Sequence, residues 1–180
     1  IFPIRRSLGA YTAASSGAMF FQNIVNENNM GERHLIVHEV MGRNSGWLTA
    51  FTAKMYYSTL SNKSIDPSKV VDNRRYNIHG IYVPERELDI NNEISRLASV
   101  LEKVRCLNLF VCEGAFLNEI SEDIKKSGES IEKDAFGHVR LDLVNTAKWF
   151  SEKISKKIDF DRILIQKSGY FARSSAPNKD

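Results

Sequence analysis

Short apolar runs alternate with amphipathic stretches along this chain of 180 residues. The stretch Ser7 to Asn26 is Ala-rich and sets Leu8, Tyr11, Ala14, Ala18 and Phe21 at helical spacing, with Ser7 placed to cap the helix. A polar turn follows, and then HLIVHEV, residues 34–40, a β-branched run that reads as a buried strand. Helical periodicity resumes at Trp47 and lasts to about Leu60. Ser61 to Arg75 is polar, contains Pro67 and reads as a loop. NIHGIYVPE (77–85) is a second strand candidate, closed by Pro84. Residues 90–104 place Ile90, Ile94, Leu97, Leu101 and Val104 on one helical stripe. LNLFVCEGA (107–115) reads as a third strand, 117–126 and 139–157 as charged helices, and DRILIQKS (161–168) as the last strand. GYFARSSAPNKD (169–180) reads as a loop. Strands alternating with helices imply βα units: an α/β protein, a three-layer sandwich with a mostly parallel sheet between helix layers.

Composition narrows the class. An apolar content of 42% supports a packed core. A net charge of +3, spread over mixed signs, is too weak to suggest nucleic acid as a partner. No run approaches the ~18 apolar residues a membrane span needs. Cys106 and Cys112 have neither a disulfide framework nor metal-ligand spacing, as expected of a reduced cytoplasmic protein. His34 and His38 share a strand face but lack further ligands, so zinc is not expected, and His38 reads as a satisfied core histidine. No glycine-rich nucleotide fingerprint occurs.

Candidate chemistry gathers after the strands, where ligands bind in open α/β sheets. Met41-Gly42-Arg43-Asn44-Ser45-Gly46 follows the first strand: Gly42 permits a tight turn, Asn44 or Ser45 can cap the next helix, and Arg43 offers a planar cation for phosphate oxygens. Pro84 stiffens the second loop and holds Glu85, whose carboxylate can accept from sugar hydroxyls. Glu113-Gly114 makes a tight turn whose Glu orients a partner or faces water. The last loop holds Lys167, Gly169, Tyr170, Arg173 and two serines. Cations with a hydroxyl-binding carboxylate suit a phosphorylated sugar.

These loops, in this order, resemble those of the phosphofructokinase family. HEVMGRNSGWL, VPE, the EGA turn and GYFARSSAP carry the resemblance, and SLGAYTAA and DAFGH bring it closest to the pyrophosphate-dependent branch. ATP-dependent relatives usually have His at the place of Tyr170 and Gly-Gly at Ser174-Ser175. The resemblance implies that Met41, Gly42 and Arg43 line a fructose 6-phosphate site, that Glu85 meets the sugar hydroxyls, and that Tyr170 and Arg173 hold the sugar phosphate; the loop's own chemistry adds Lys167 as a further cation for the substrate. It implies phosphoryl transfer from pyrophosphate, or ATP, to the 1-hydroxyl of fructose 6-phosphate in glycolysis. Mg2+ would take part, and a cytoplasmic homo-oligomer is expected. A non-catalytic sugar-phosphate-binding or regulatory subunit of the same fold is the alternative. The family's catalytic Asp belongs to a Thr-x-Asp-Asn-Asp stretch that residues 1–180 do not contain, nor do they contain the donor-binding loops. Ile1-Phe2-Pro3-Ile4 therefore reads as a break after that stretch, and residues 1–180 as the acceptor portion of a longer chain, which alone would bind the sugar phosphate weakly and not catalyse. Relatives also carry an Arg before this strand that reaches a neighbouring subunit; Arg33 is one residue out of place and is not assigned that role.

Overall fold

A computed structural model describes residues 9–28, 31–61, 72–128, 140 and 144–177, apart from the side chains of Ser61, Tyr170 and Arg173. Four strands, β1 (His34–Val40), β2 (Gly80–Tyr82), β3 (Cys106–Cys112) and β4 (Arg162–Lys167), form one sheet in the order β2-β3-β1-β4, with every pairing parallel. Among the described residues six α-helices surround it: α1 (Ala10–Asn28), α2 (Trp47–Ser61), α3 (Ile90–Val104), α4 (Leu117–Lys126), α5 (Thr146–Ser155) and α6 (Gly169–Ser174).

Alternation along β1 and β3 decides the layers. Leu35, Val37, Leu107, Leu109 and Val111 face one side and pack with Leu97 and Leu101 of α3, Ile120 of α4 and Phe150 and Ile154 of α5. Ile36, Val40 and Phe110 face the other side, toward Ala18 and Phe21 of α1 and Ala53 and Tyr56 of α2. Both central strands are buried throughout, as parallel strands covered on two faces must be. The expected three-layer sandwich is therefore present.

Local deviations have identifiable causes. The second strand is only three residues long, because side chains take over part of the ladder ahead of it. Asn108 donates to the carbonyls of Arg75 and Asn77 at 2.7 and 3.0 Å, and its own amide donates to His79 Nδ1 at 2.9 Å. β4 is an edge strand and half open: Ile163 is exposed. α3 starts where Asp89 accepts from the amides of Asn91 and Asn92. Of the long helix expected over 139–157, α5 covers Thr146–Ser155, capped by Asn145; residues 139 and 141–143 lie outside the described residues, as does the proposed Ser7 cap of α1.

Two expectations are corrected here. The segment after β4 is not a loop: Gly169–Ser174 is helical, with Phe171 stacked on Phe20 of α1 at 5.3 Å. His38 is not satisfied: it is fully buried among Phe20, Phe21 and Phe110, and neither ring nitrogen has a partner. Burial pushes its pKa down to about 3, so the ring is neutral. Arg33 lies just before β1 at the amino edge of the sheet, paired with Glu102 at 2.8 Å. Among the described residues no helix is long and apolar enough to cross a membrane.

Candidate functional site

β1 and β3 are neighbours, yet their connections leave to opposite faces: α2 packs on the α1 side, α4 and α5 on the α3 side. Such a divergence opens a crevice at the carboxyl ends of the two strands, where α/β sheets bind ligands. Met41-Gly42-Arg43 and Glu113-Gly114 are the residues that emerge there.

Gly42 is pinned on both sides of its peptide. Its amide donates to Glu113 Oε1 at 3.0 Å, and its carbonyl accepts from the Gly114 amide at 3.0 Å and the Cys112 thiol at 2.8 Å. The Glu113 amide in turn donates to Val40 at 2.9 Å, and Thr146 at the start of α5 donates to the Glu113 carbonyl at 2.6 Å. Burial raises the pKa of Cys112, which keeps it a thiol and thus a donor. A Cβ on Gly114 would land on the Arg43 carbonyl, and Gly42 has φ of 156°, a backbone few side chains tolerate. The turn that presents Met41 and Arg43 is thus fixed by contacts that need glycine twice.

Asn44 and Ser45 were both candidate caps for α2. The residue in the cap position is Gly46, whose carbonyl accepts from Ala50 at 2.9 Å; Ser45 contributes only a long 3.4 Å contact to the Trp47 amide. The anion at this helix start comes from the protein itself. Glu85 places both carboxylate oxygens on the Gly46 amide, at 2.8 and 3.0 Å. The oxygens keep lone pairs for further donors, so Glu85 is oriented by α2 rather than used up by it.

On the far side of β1, Met41 packs against Gly169, the first residue of α6, which also carries Tyr170 and Arg173. Lys167 ends β4 with its ammonium 2.8 Å from Glu39 Oε1. Toward β2, Arg43, Asn44, Pro84, Arg86, Gly114 and Phe116 are among the residues lining a cleft of about 270 Å3. The sheet edge therefore gathers Met41, Gly42, Arg43 and Glu85 closely and brings α6 against Met41, and Arg43 also lines the cleft. Reasoning from sequence missed Arg86, whose only signal is that it follows Pro84-Glu85. It also missed Glu39, whose signal is a carboxylate inside a strand that reads as buried.

No family model matches the sequence. The whole chain aligns with pyrophosphate--fructose 6-phosphate 1-phosphotransferases: 51% identity over 180 residues with that of Methylotuvimicrobium alcaliphilum, 48% with that of Methylomonas methanica and 44% with that of Mastigamoeba balamuthi. Over its whole length the chain is similar to these pyrophosphate-dependent enzymes. It spans 44% of the length of each of these three relatives. The crystal structure of a pyrophosphate-dependent phosphofructokinase from Nitrosospira multiformis has the same fold, with a TM-score of 0.52 at 17% identity over 92% of this chain and 32% of that one. In this fold the pinned Met41–Arg43 turn falls at the carboxyl edge of the parallel sheet.

Proposed function

We propose that this chain supplies the fructose 6-phosphate side of an enzyme that transfers a phosphoryl group from pyrophosphate to the sugar's 1-hydroxyl. The donor side and the catalytic Asp belong to the remainder of such an enzyme, which works as an oligomer of like chains. The observation that carries the reading is the Gly42 peptide, held by Glu113, Gly114 and Cys112 so that Arg43 stands at the divergence of β1 and β3. A cation carried on a fixed turn is what phosphoryl transfer asks of a protein, because positioning and charge stabilisation do most of the work.

In this reading Arg43 neutralises charge that develops on the transferred group. Met41 and Gly42 shape the sugar pocket, Glu85 accepts from sugar hydroxyls, and Tyr170 and Arg173 on α6 hold the 6-phosphate. Mg2+ would supply neutralisation of charge on the donor in such a transfer, and no set of side chains fitting it occurs among the described residues. Among the described residues no three His, Cys, Asp or Glu side chains could hold a metal ion. The carboxylates of Glu39, Glu85 and Glu113 each already accept from a backbone amide. No step in this proposal runs through a metal on this chain.

Calorimetric titration tests the reading. The chain should take up fructose 6-phosphate saturably, with fructose and inorganic phosphate each far weaker. Heat changes that are equal for all three, or absent, would overturn it. Turnover of fructose 6-phosphate by the 180-residue chain alone would contradict the placing of the catalytic Asp elsewhere.

A further inference from the structure

We propose that Glu39 is a positioning residue: it ties the end of β4, and through it α6, to the Met41–Arg43 turn, and Lys167 serves the site through Glu39 rather than on the ligand. This rests on the sugar-phosphate reading above. Glu39 holds three separate segments. Its Oε1 is 2.8 Å from the Lys167 ammonium, its Oε2 accepts from the Ala147 amide of α5 at 2.9 Å, and its backbone carbonyl accepts from the Ser168 amide at 3.2 Å. It stands two residues before Met41 on β1, directly opposite Lys167 in the ladder. Ser168 then passes the hold on, because its carbonyl accepts from Ala172 inside α6 at 2.7 Å.

The chemistry of the position calls for a carboxylate. The side chain is 8% exposed and meets a donor on each oxygen, one an ammonium and one a backbone amide at a helix start. A buried charge needs both kinds of compensation to be tolerated, and the helix dipole favours an anion at the same place. Glutamine has a single acceptor oxygen, so its amide NH2 would confront one of the two donors. The ammonium of Lys167 is accordingly engaged with Glu39, in an ion pair half of which is buried.

Four proteins decide the matter: wild type, Glu39→Gln, Lys167→Met and the double variant, each titrated with fructose 6-phosphate and each followed by thermal melting and amide hydrogen exchange. Glu39→Gln should weaken binding roughly tenfold, the low end for a lost charge-assisted contact. Lys167→Met should do the same, and the double variant should be no worse than either single one, as expected for residues acting as one unit. If Lys167 were itself a phosphate ligand, Glu39→Gln would free its ammonium and leave binding unchanged or tighter, which overturns the proposal. Losses that multiply in the double variant also overturn it, as does a lowered melting temperature with unchanged affinity, the mark of a purely structural pair. Exchange reads the clamp without ligand: Ala147, Ser168 and Ala172 should exchange faster in Glu39→Gln, and unchanged rates sink the proposal. A wild-type chain that binds no sugar phosphate would instead speak against the function proposed above, with exchange still deciding the clamp.

Discussion

Gly114 and Arg43 have separable jobs, and substitution pulls them apart. Gly114→Ala sets a methyl against the Arg43 carbonyl, so it should destabilise the chain by about 1–3 kcal/mol, as overpacking does, read as a lower urea midpoint with an unchanged slope. Arg43→Ala leaves the glycines of the turn in place and removes only the guanidinium. It should weaken fructose 6-phosphate binding by roughly 1.5–3 kcal/mol, the worth of a hydrogen bond to a charged group. His38 predicts a pH effect. The unfolded chain takes up its proton below about pH 6.5, whereas the folded ring resists until about 3. The stability it contributes is therefore complete above pH 6.5 and is lost as the pH falls. One such histidine accounts for about 1.4 kcal/mol between about pH 7.5 and 5.5, and His38→Phe should flatten the denaturation profile by that amount. Sequence places His38 inside an apolar strand, but it cannot say that three rings surround it, because Phe20, Phe21 and Phe110 come from other elements.

At the scale of elements, periodicity was informative wherever an element buries a complete face. β1, β3 and α3 fall within a residue or so of where the pattern puts them, apart from the EGA turn after β3. Asp89 caps α3 through two amides, and Asp89→Ala should cost about 1 kcal/mol in thermal or urea unfolding. α6 was illegible for a physical reason. Six residues beginning with Gly are too few to hold a helix by themselves, so its shape depends on Phe171 stacking against Phe20, a contact between residues far apart in sequence. β2 is shorter than its apolar run because His79 and Asn108 replace part of the ladder. Likewise, the order of strands cannot be read from any one of them. Asn44 and Ser45 are good capping types, yet Glu85, brought in from the second loop, supplies the anion at α2.

For the whole molecule, topology turns scattered motifs into a site. With β1 flanked by β3 and β4, the Met41–Arg43 turn lies between the Glu113-Gly114 turn and α6. Loops separated by more than a hundred residues thus meet at one edge, and their order along the chain had already pointed there. What sequence could not show is which polar groups serve the fold: Glu113, Glu85 and Glu39 are each bound to backbone amides before any ligand arrives. The opposite edge offers a contrasting cleft of about 200 Å3, lined by Glu27, His34 and Arg162 among others. Mapping backbone amide chemical shifts during titration with fructose 6-phosphate tests the central claim most directly. The account predicts saturable shifts at Met41, Gly42, Arg43, Gly114 and along Gly169–Arg173. Shifts confined to the cleft around Glu27, His34 and Arg162, or no shifts at all, would contradict it.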